Sequence, residues 1–245
     1  STKAQKIVIT NSKSFECPIS VKPSTYRTGK PKNTSVAQLG SDFVGMKPTM
    51  LVKVGDQVKA GQKLFEDKKN IGVFYTSPAG GEVKAINRGE KRKFLSIEID
   101  ISSEEEFEDF QIINNSENTT ELLITSGLWN AFRTRTFNRT HSVDDKQNAL
   151  FINCCDTNPL SVDPVHIINN DKDLFDLGLA LISKLFDCEI HLCHQNIDFS
   201  TSNKNINYHC FPGPHPAALI STHISQLHPV NTSNSVWTLT FQYVL

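Results

Sequence analysis

The chain has 245 residues, 38% of them hydrophobic and 21% charged, with a formal net charge of −1. That size and balance suit a soluble globular chain with a buried core, in one large domain or two ordinary ones. They exclude a global field that would draw nucleic acid or an anionic bilayer, and no segment approaches the roughly 20 apolar residues that span a membrane.

The first residues, Ser1-Thr2-Lys3-Ala4-Gln5-Lys6, lack the apolar region of a signal peptide. Short β runs follow at Ile7-Val8-Ile9, Leu51-Val52-Lys53-Val54, Val73-Phe74-Tyr75, Val83-Lys84-Ala85-Ile86 and Leu95-Ser96-Ile97-Glu98-Ile99. Gly, Pro and Asn punctuate them closely, which predicts a β-rich domain over 1–101, a small barrel or sandwich. Residues 102–120 are acidic and then Asn/Ser/Thr-rich, and read as a linker or mobile loop.

From 121 to 245 the pattern changes to α/β. Thr119 or Thr120 would cap a short helix containing Leu122, Leu123 and Leu128. Leu150-Phe151-Ile152-Asn153 reads as a buried strand. Residues 172–187 read as a helix, with Leu174, Leu177, Leu181 and Leu185 at helical spacing, and Glu189 to Cys193 as the next strand. Strand, helix, strand predicts a parallel sheet. Trp237-Thr238-Leu239-Thr240-Phe241 reads as a strand, and the chain ends soon after it, as a fragment of a longer protein would.

Six cysteines in this length make no disulfide scaffold, and reduced thiols are expected. Cys188, His191, Cys193 and His194 offer metal-binding atoms, but on a strand His194 points away from His191 and Cys193. No second paired motif accompanies them, so no metal site is expected. Cys154 and Cys155 have no base nearby in sequence, and packing is their expected role.

Val54-Gly55-Asp56-Gln57-Val58-Lys59-Ala60-Gly61-Gln62-Lys63-Leu64 and its echo around Ser77-Pro78-Ala79-Gly80-Gly81-Glu82-Val83 resemble the biotinyl/lipoyl-type barrel-sandwich hybrid. In carriers of that type a modified Lys sits between the halves. Lys68 and Lys69 occupy that region without the carrier's flanking residues, so a solvated turn is the expected reading.

The wording of the chain is more specific. Phe43-Val44-Gly45-Met46-Lys47-Pro48-Thr49-Met50, Ile86-Asn87-Arg88-Gly89-Glu90-Lys91-Arg92, Ser126-Gly127-Leu128-Trp129-Asn130-Ala131-Phe132-Arg133-Thr134-Arg135, Phe151-Ile152-Asn153-Cys154-Cys155-Asp156-Thr157-Asn158-Pro159 and Gly213-Pro214-His215-Pro216-Ala217 closely resemble the NqrA family, in its N-terminal portion. That family supplies one subunit of the bacterial sodium-translocating NADH:quinone oxidoreductases. The α/β part also resembles, distantly, the FMN-binding domain of complex I. The glycine-rich loop that would cradle a flavin phosphate is replaced here by Trp129, Phe132, Arg133 and Arg135. The chain departs from its family at Thr136, Ala218, Ser221 and Ser225.

The resemblance implies a peripheral, cofactor-free subunit on the cytoplasmic side of the bacterial inner membrane. Its partners would be the other members of a six-subunit sodium pump, the membrane-embedded NqrB above all. NADH oxidation, FAD, FMN, riboflavin and the iron–sulfur centres would belong to those other members. Ubiquinone is the expected ligand if the chain has one. Trp129, Phe132, Arg133 and Arg135 offer stacking and charge to a quinone head group, and His215 and His223 offer donors to its carbonyls. Pro212, Gly213, Pro214 and Pro216 stiffen a loop suited to docking a partner. The rival readings are a scaffold component of a related ferredoxin-linked (Rnf-like) electron-transfer complex, although no iron–sulfur motif stands here, and a carrier domain.

Overall fold

The computed structural model of the chain describes residues 33–104, 106–110, 116–158, 161–197, 199, 203–231 and 234–245. The run Ile7-Val8-Ile9 and Cys17 lie outside the described residues. Two compact units are present, one within Gly29–Asp145 and one within Lys146–Leu245.

The first unit holds β1 (Ser35–Leu39), β2 (Pro48–Met50), β3 (Gln57–Val58), β4 (Lys63–Asp67), β5 (Phe74–Thr76), β6 (Gly81–Arg88), β7 (Phe94–Ile101), α1 (Ser116–Thr125) and β8 (Arg133–Arg135). One antiparallel sheet has the order β1-β7-β6-β3, and a smaller one the order β2-β4-β5. Alternation drives this arrangement: on β6 Val83 is buried while its neighbours Glu82 and Lys84 face solvent. Val58, Leu64, Phe65, Tyr75, Val83, Phe94, Ile97 and Ile99 form the core. This is the expected barrel-sandwich hybrid.

The strand expected at Leu51-Val52-Lys53-Val54 is replaced by β2, just before it. Asp56 accounts for the difference. Its Oδ2 accepts from the Lys53 amide at 2.9 Å, and its own amide donates to the Lys53 carbonyl. A side-chain turn thus captures the backbone that a strand would have used. Part of the stretch read as a linker is also held by the sheet, because Ala60 exchanges backbone hydrogen bonds with Glu106 and Glu108, both at 2.8 Å.

Helix α1 begins at Ser116, ahead of the expected Thr119 or Thr120 cap, and ends before Leu128. Gly127 stops it, with φ +79°. A side chain there would crowd Thr76, whose hydroxyl donates to the Ser126 carbonyl. The glycine of the Ser126-Gly127-Leu128 motif is therefore a helix stop.

In the second unit β9 (Ala149–Cys154), α2 (Pro164–Asn170), α3 (Lys172–Leu185), β10 (Glu189–His194), β11 (Ile206–Cys210), α4 (Ile220–Leu227) and β12 (Val236–Thr240) follow in turn. The strands run parallel in the order β11-β10-β9-β12. Ala149, Leu150, Phe151 and Ile152 are all fully buried, as a central parallel strand covered on both faces requires. Asp163 caps α2 by accepting from the Val165 amide at 2.9 Å, and Pro164 opens the helix.

Helix α3 forms where the leucine spacing predicts it. Its core face is a different stripe, Phe175, Leu179 and Ile182, while Leu174, Leu177 and Leu181 are 55%, 58% and 42% exposed. No described helix is long and apolar enough to cross a membrane.

Candidate functional site

In parallel α/β sheets ligands bind beyond the carboxyl ends of the strands. A cleft of about 230 Å³ lies there in the second unit, lined by Asn153, Cys155, Asp156, Thr157 and Asn158 after β9, Ala218, Leu219 and Ile220 at the start of α4, and Thr240, Phe241 and Gln242 after β12.

Its walls are held by hydrogen bonds. The Asn153 side chain donates to the Ala218 carbonyl at 3.2 Å and accepts from the Cys155 amide at 3.1 Å. Asp156 Oδ1 accepts from the amide and the side chain of Asn158, each at 2.8 Å, and Oδ2 accepts from Ser161 Oγ. Burial, with Cys210 and Asp156 nearby, pushes the Cys155 thiol up to about 12. It also holds Cys154 well above the usual thiol range. Burial thus favours the thiol form of both sulfurs, and Asn153, Asp156, Thr157 and Asn158 give the cleft wall its polar groups.

The residues singled out from sequence divide between the units. In the second unit, His215 is half-buried and hydrogen-bonds Thr157 Oγ1, on the cleft wall, through Nδ1 at 3.1 Å. His223 is fully buried. Its Nε2 donates to the Ala217 carbonyl at 2.7 Å, bracing the backbone beside Ala218. Burial lowers its pKa to about 4. In the loop before α4, Gly213 and Pro214 are exposed and Pro212 and Pro216 half-buried.

In the first unit, Trp129 and Phe132 are 4% and 3% exposed. Trp129 meets the Phe132 ring at 6.1 Å and the His141 ring edge-on at 4.9 Å. Burial drives His141 down to about 4. Arg133 donates to Thr140 Oγ1 at 3.2 Å and lies over the Phe43 ring. Arg135 is half-buried on β8. In this conformation Trp129 and Phe132 are core side chains that offer no open face for stacking.

Lys68 and Lys69 are exposed in the turn between β4 and β5. That turn is built by Asp67, which is 1% exposed and had no signal of its own in the sequence. Its Oδ1 accepts from the Lys47 and Lys69 amides at 3.1 and 3.0 Å, and its Oδ2 from Asn70 at 2.8 Å.

Of the sequence's metal-ligand candidates, Cys188 bonds weakly to Gln147, Cys193 is fully buried, and His194 Nδ1 accepts from the Ile197 amide. His191 stands apart from them, beside His209. Burial lowers both rings below the ordinary histidine value, His209 to about 4. The cleft residues Asp156, Thr157 and Asn158 drew no attention as a site in the sequence. A polar run after a buried strand was the available signal.

Two family models match the chain. The NqrA N-terminal barrel-sandwich hybrid domain matches residues 9–102, and the NqrA second alpha/beta domain matches residues 114–245. The NqrA protein of Vibrio atlanticus, a Na(+)-translocating NADH-quinone reductase subunit, is 41% identical over 97% of this chain and 55% of its own length. Its counterparts in Yersinia pseudotuberculosis and Neisseria gonorrhoeae are each 42% identical over 95% of this chain and 54% of theirs. The chain thus spans about half the length of the curated relatives it matches. With both domains matched and identity spread over nearly its full length, the chain belongs to the NqrA family of Na(+)-translocating NADH-quinone reductase subunits.

Proposed function

We propose that the chain works as a peripheral, cofactor-free part of the NqrA component in a sodium-translocating NADH:ubiquinone reductase, on the cytoplasmic side of the bacterial inner membrane. Its task is assembly with the other subunits, NqrB in particular, in a complex that couples ubiquinone reduction to sodium export. The observation that carries this reading is the 41% identity to a named NqrA protein across almost the whole chain. Two surface features support an assembly role. Leu174, Leu177 and Leu181 expose apolar side chains on α3, and Gly213 and Pro214 expose a stiffened loop.

Ubiquinone contact belongs to the same reading. His215, held by Thr157 on the cleft wall, is the donor we assign to a quinone carbonyl. His223 acts behind it by fixing the Ala217 backbone. Trp129, Phe132 and Arg133 have packing roles.

Both parts are tested in the assembled complex with full-length NqrA. Leu177→Asp is expected to reduce co-purification of the partners while NqrA stays folded, and full co-purification would remove α3 from the interface. His215→Gln is expected to raise KM for a short-chain ubiquinone with little change in NADH oxidation by an artificial acceptor. An unchanged KM would leave the assembly role alone.

A further inference from the structure

Strand β10 and the end of α4 bring three metal-binding side chains together away from the cleft. Glu189 and His191 sit two residues apart on β10 and so share a face of the sheet. His228 is the residue that ends α4. Glu189 Oε2 is 3.4 Å from His191 Nε2 and 3.6 Å from His228 Nδ1. One ligand atom from each of the three residues lies within 4.8 Å of the others. Zinc–ligand bonds of about 2.0–2.1 Å in a tetrahedron separate neighbouring ligand atoms by about 3.4 Å. The two measured edges are close to that value.

His191 is the decisive residue. The residue is 6% exposed, and the polar atom its Nε2 faces is Glu189 Oε2, 3.4 Å away and outside good hydrogen-bond geometry. Nδ1 is 3.0 Å from Nε2 of His209 on the neighbouring strand β11. If His191 donates from Nδ1 to His209, the Nε2 lone pair is left facing Glu189 and His228. At metal sites a carboxylate, carbonyl or water commonly accepts from the far nitrogen of the bound imidazole, and His209 Nε2 stands in that place here. In that tautomer a buried lone pair meets the Glu189 carboxylate, an arrangement that is costly without a cation between them. The electrostatics agree, because His228 stands at the C-terminal, negative end of the α4 dipole, where a cation is favoured.

We infer that Glu189, His191 and His228 form a binding site for a borderline divalent cation of the zinc type, with His209 as the positioning residue behind His191. Two imidazoles and one carboxylate suit Zn2+, Co2+ or Ni2+ better than the hard cations Mg2+ and Ca2+, which prefer all-oxygen shells. Glu189 is exposed, so the cation enters from solvent and a water completes the tetrahedron. Bound there, it ties the end of α4 to the start of β10.

The test is a Co2+ titration of the full, tag-free chain after chelator treatment, followed by visible absorption and then displacement with Zn2+. The expected result is one saturable site with the intense visible bands of tetrahedral cobalt, bleached by one equivalent of Zn2+, and a melting temperature raised by the metal. Glu189→Gln and His228→Gln alter exposed or half-exposed side chains, so both variants keep the fold, and both are expected to lose saturable binding. His209→Phe is expected to keep the site with affinity lowered about 10- to 100-fold. Absence of a saturable site would overturn the proposal, as would equal binding by Glu189→Gln and His228→Gln. A near-ultraviolet thiolate-to-cobalt band would also overturn it, because the metal would then sit on cysteine.

Discussion

The hydroxyls of Tyr75 and Thr140 meet at 3.2 Å, and Arg133 donates to the same Thr140 oxygen at 3.2 Å. Tyr75 is fully buried and Thr140 nearly so. Burial raises the Tyr75 pKa, so the phenol stays protonated and can donate. One threonine oxygen thus serves a phenol and a guanidinium that the sequence offered as a quinone contact. Thr140→Val keeps the shape and removes that oxygen from both donors. Stability is expected to fall by about 1–3 kcal/mol, read by urea unfolding. Tyr75→Phe, which removes one partner only, should cost about 1 kcal/mol. A neutral Thr140→Val would show that the threonine oxygen holds neither donor in solution.

Asp67 makes a second structural claim. Its carboxylate accepts from Lys47, Lys69 and Asn70 and so shapes the turn that displays Lys68 and Lys69. Asp67→Asn retains one acceptor oxygen and replaces the other with a donor that faces donors. A loss of about 2 kcal/mol is expected. Amide exchange at Lys47 and Lys69 should speed up together, which a change confined to the exposed turn would not produce at Lys47.

Much of the fold was legible because burial leaves a periodic trace. Val83 between Glu82 and Lys84 announces a strand with one wet face, and Leu150-Phe151-Ile152 announces one with none. Period alone could not choose the core face of α3. Leu174, Leu177 and Leu181 form one apolar stripe and Phe175, Leu179 and Ile182 another, and tertiary packing buries the second. The sites were less legible, because their parts come from distant segments. Glu189 and His191 share a strand with His194 and Cys193, whereas His228 waits beyond another strand and a helix. Sequence spacing pairs His191 with Cys193, but folding sets it beside His209 and, across Glu189, near His228. The wall of the cleft likewise needs Asn153 to reach Ala218.

Buried histidines predict acid sensitivity in both units, and His141 and His223 carry the test. His141 and His223 are both lowered to about 4 from an ordinary 6.5, chiefly by burial. Between those values the unfolded chain binds a proton that the folded ring refuses. Stability is therefore undiminished by these groups above about pH 6.5, falls as pH drops toward 4, and levels off below that. Each ring accounts for about 3 kcal/mol over that window. His223→Gln keeps a donor for the Ala217 carbonyl and removes the titration. Its stability from pH 7 to 4, followed by Trp237 fluorescence, should fall less steeply than that of the parent chain. Equal slopes would show that His223 takes up its proton as readily in the folded state as in the unfolded chain.

Gly178 lies in the middle of α3, where glycine costs about 1 kcal/mol relative to alanine. Helix propensity alone therefore predicts that Gly178→Ala stabilises the chain. The packing predicts the opposite. A Cβ at this position would collide with the carbonyl oxygen of Val244, which is backbone and cannot rotate away, and with the Val244 side chain. Val244 is itself buried, and its amide bonds the Phe241 carbonyl at 3.0 Å. Relieving the clash would displace the segment that carries Phe241 and Gln242, two residues of the cleft wall. Gly178→Ala is expected to destabilise by about 1–3 kcal/mol. The neighbouring exposed Leu177→Ala, which touches no such contact, should stay within about 0.5 kcal/mol of the parent. Denaturant midpoints of the two variants decide between propensity and close approach. If Gly178→Ala proves the more stable, α3 stands farther from the Val244 backbone than the structure has it.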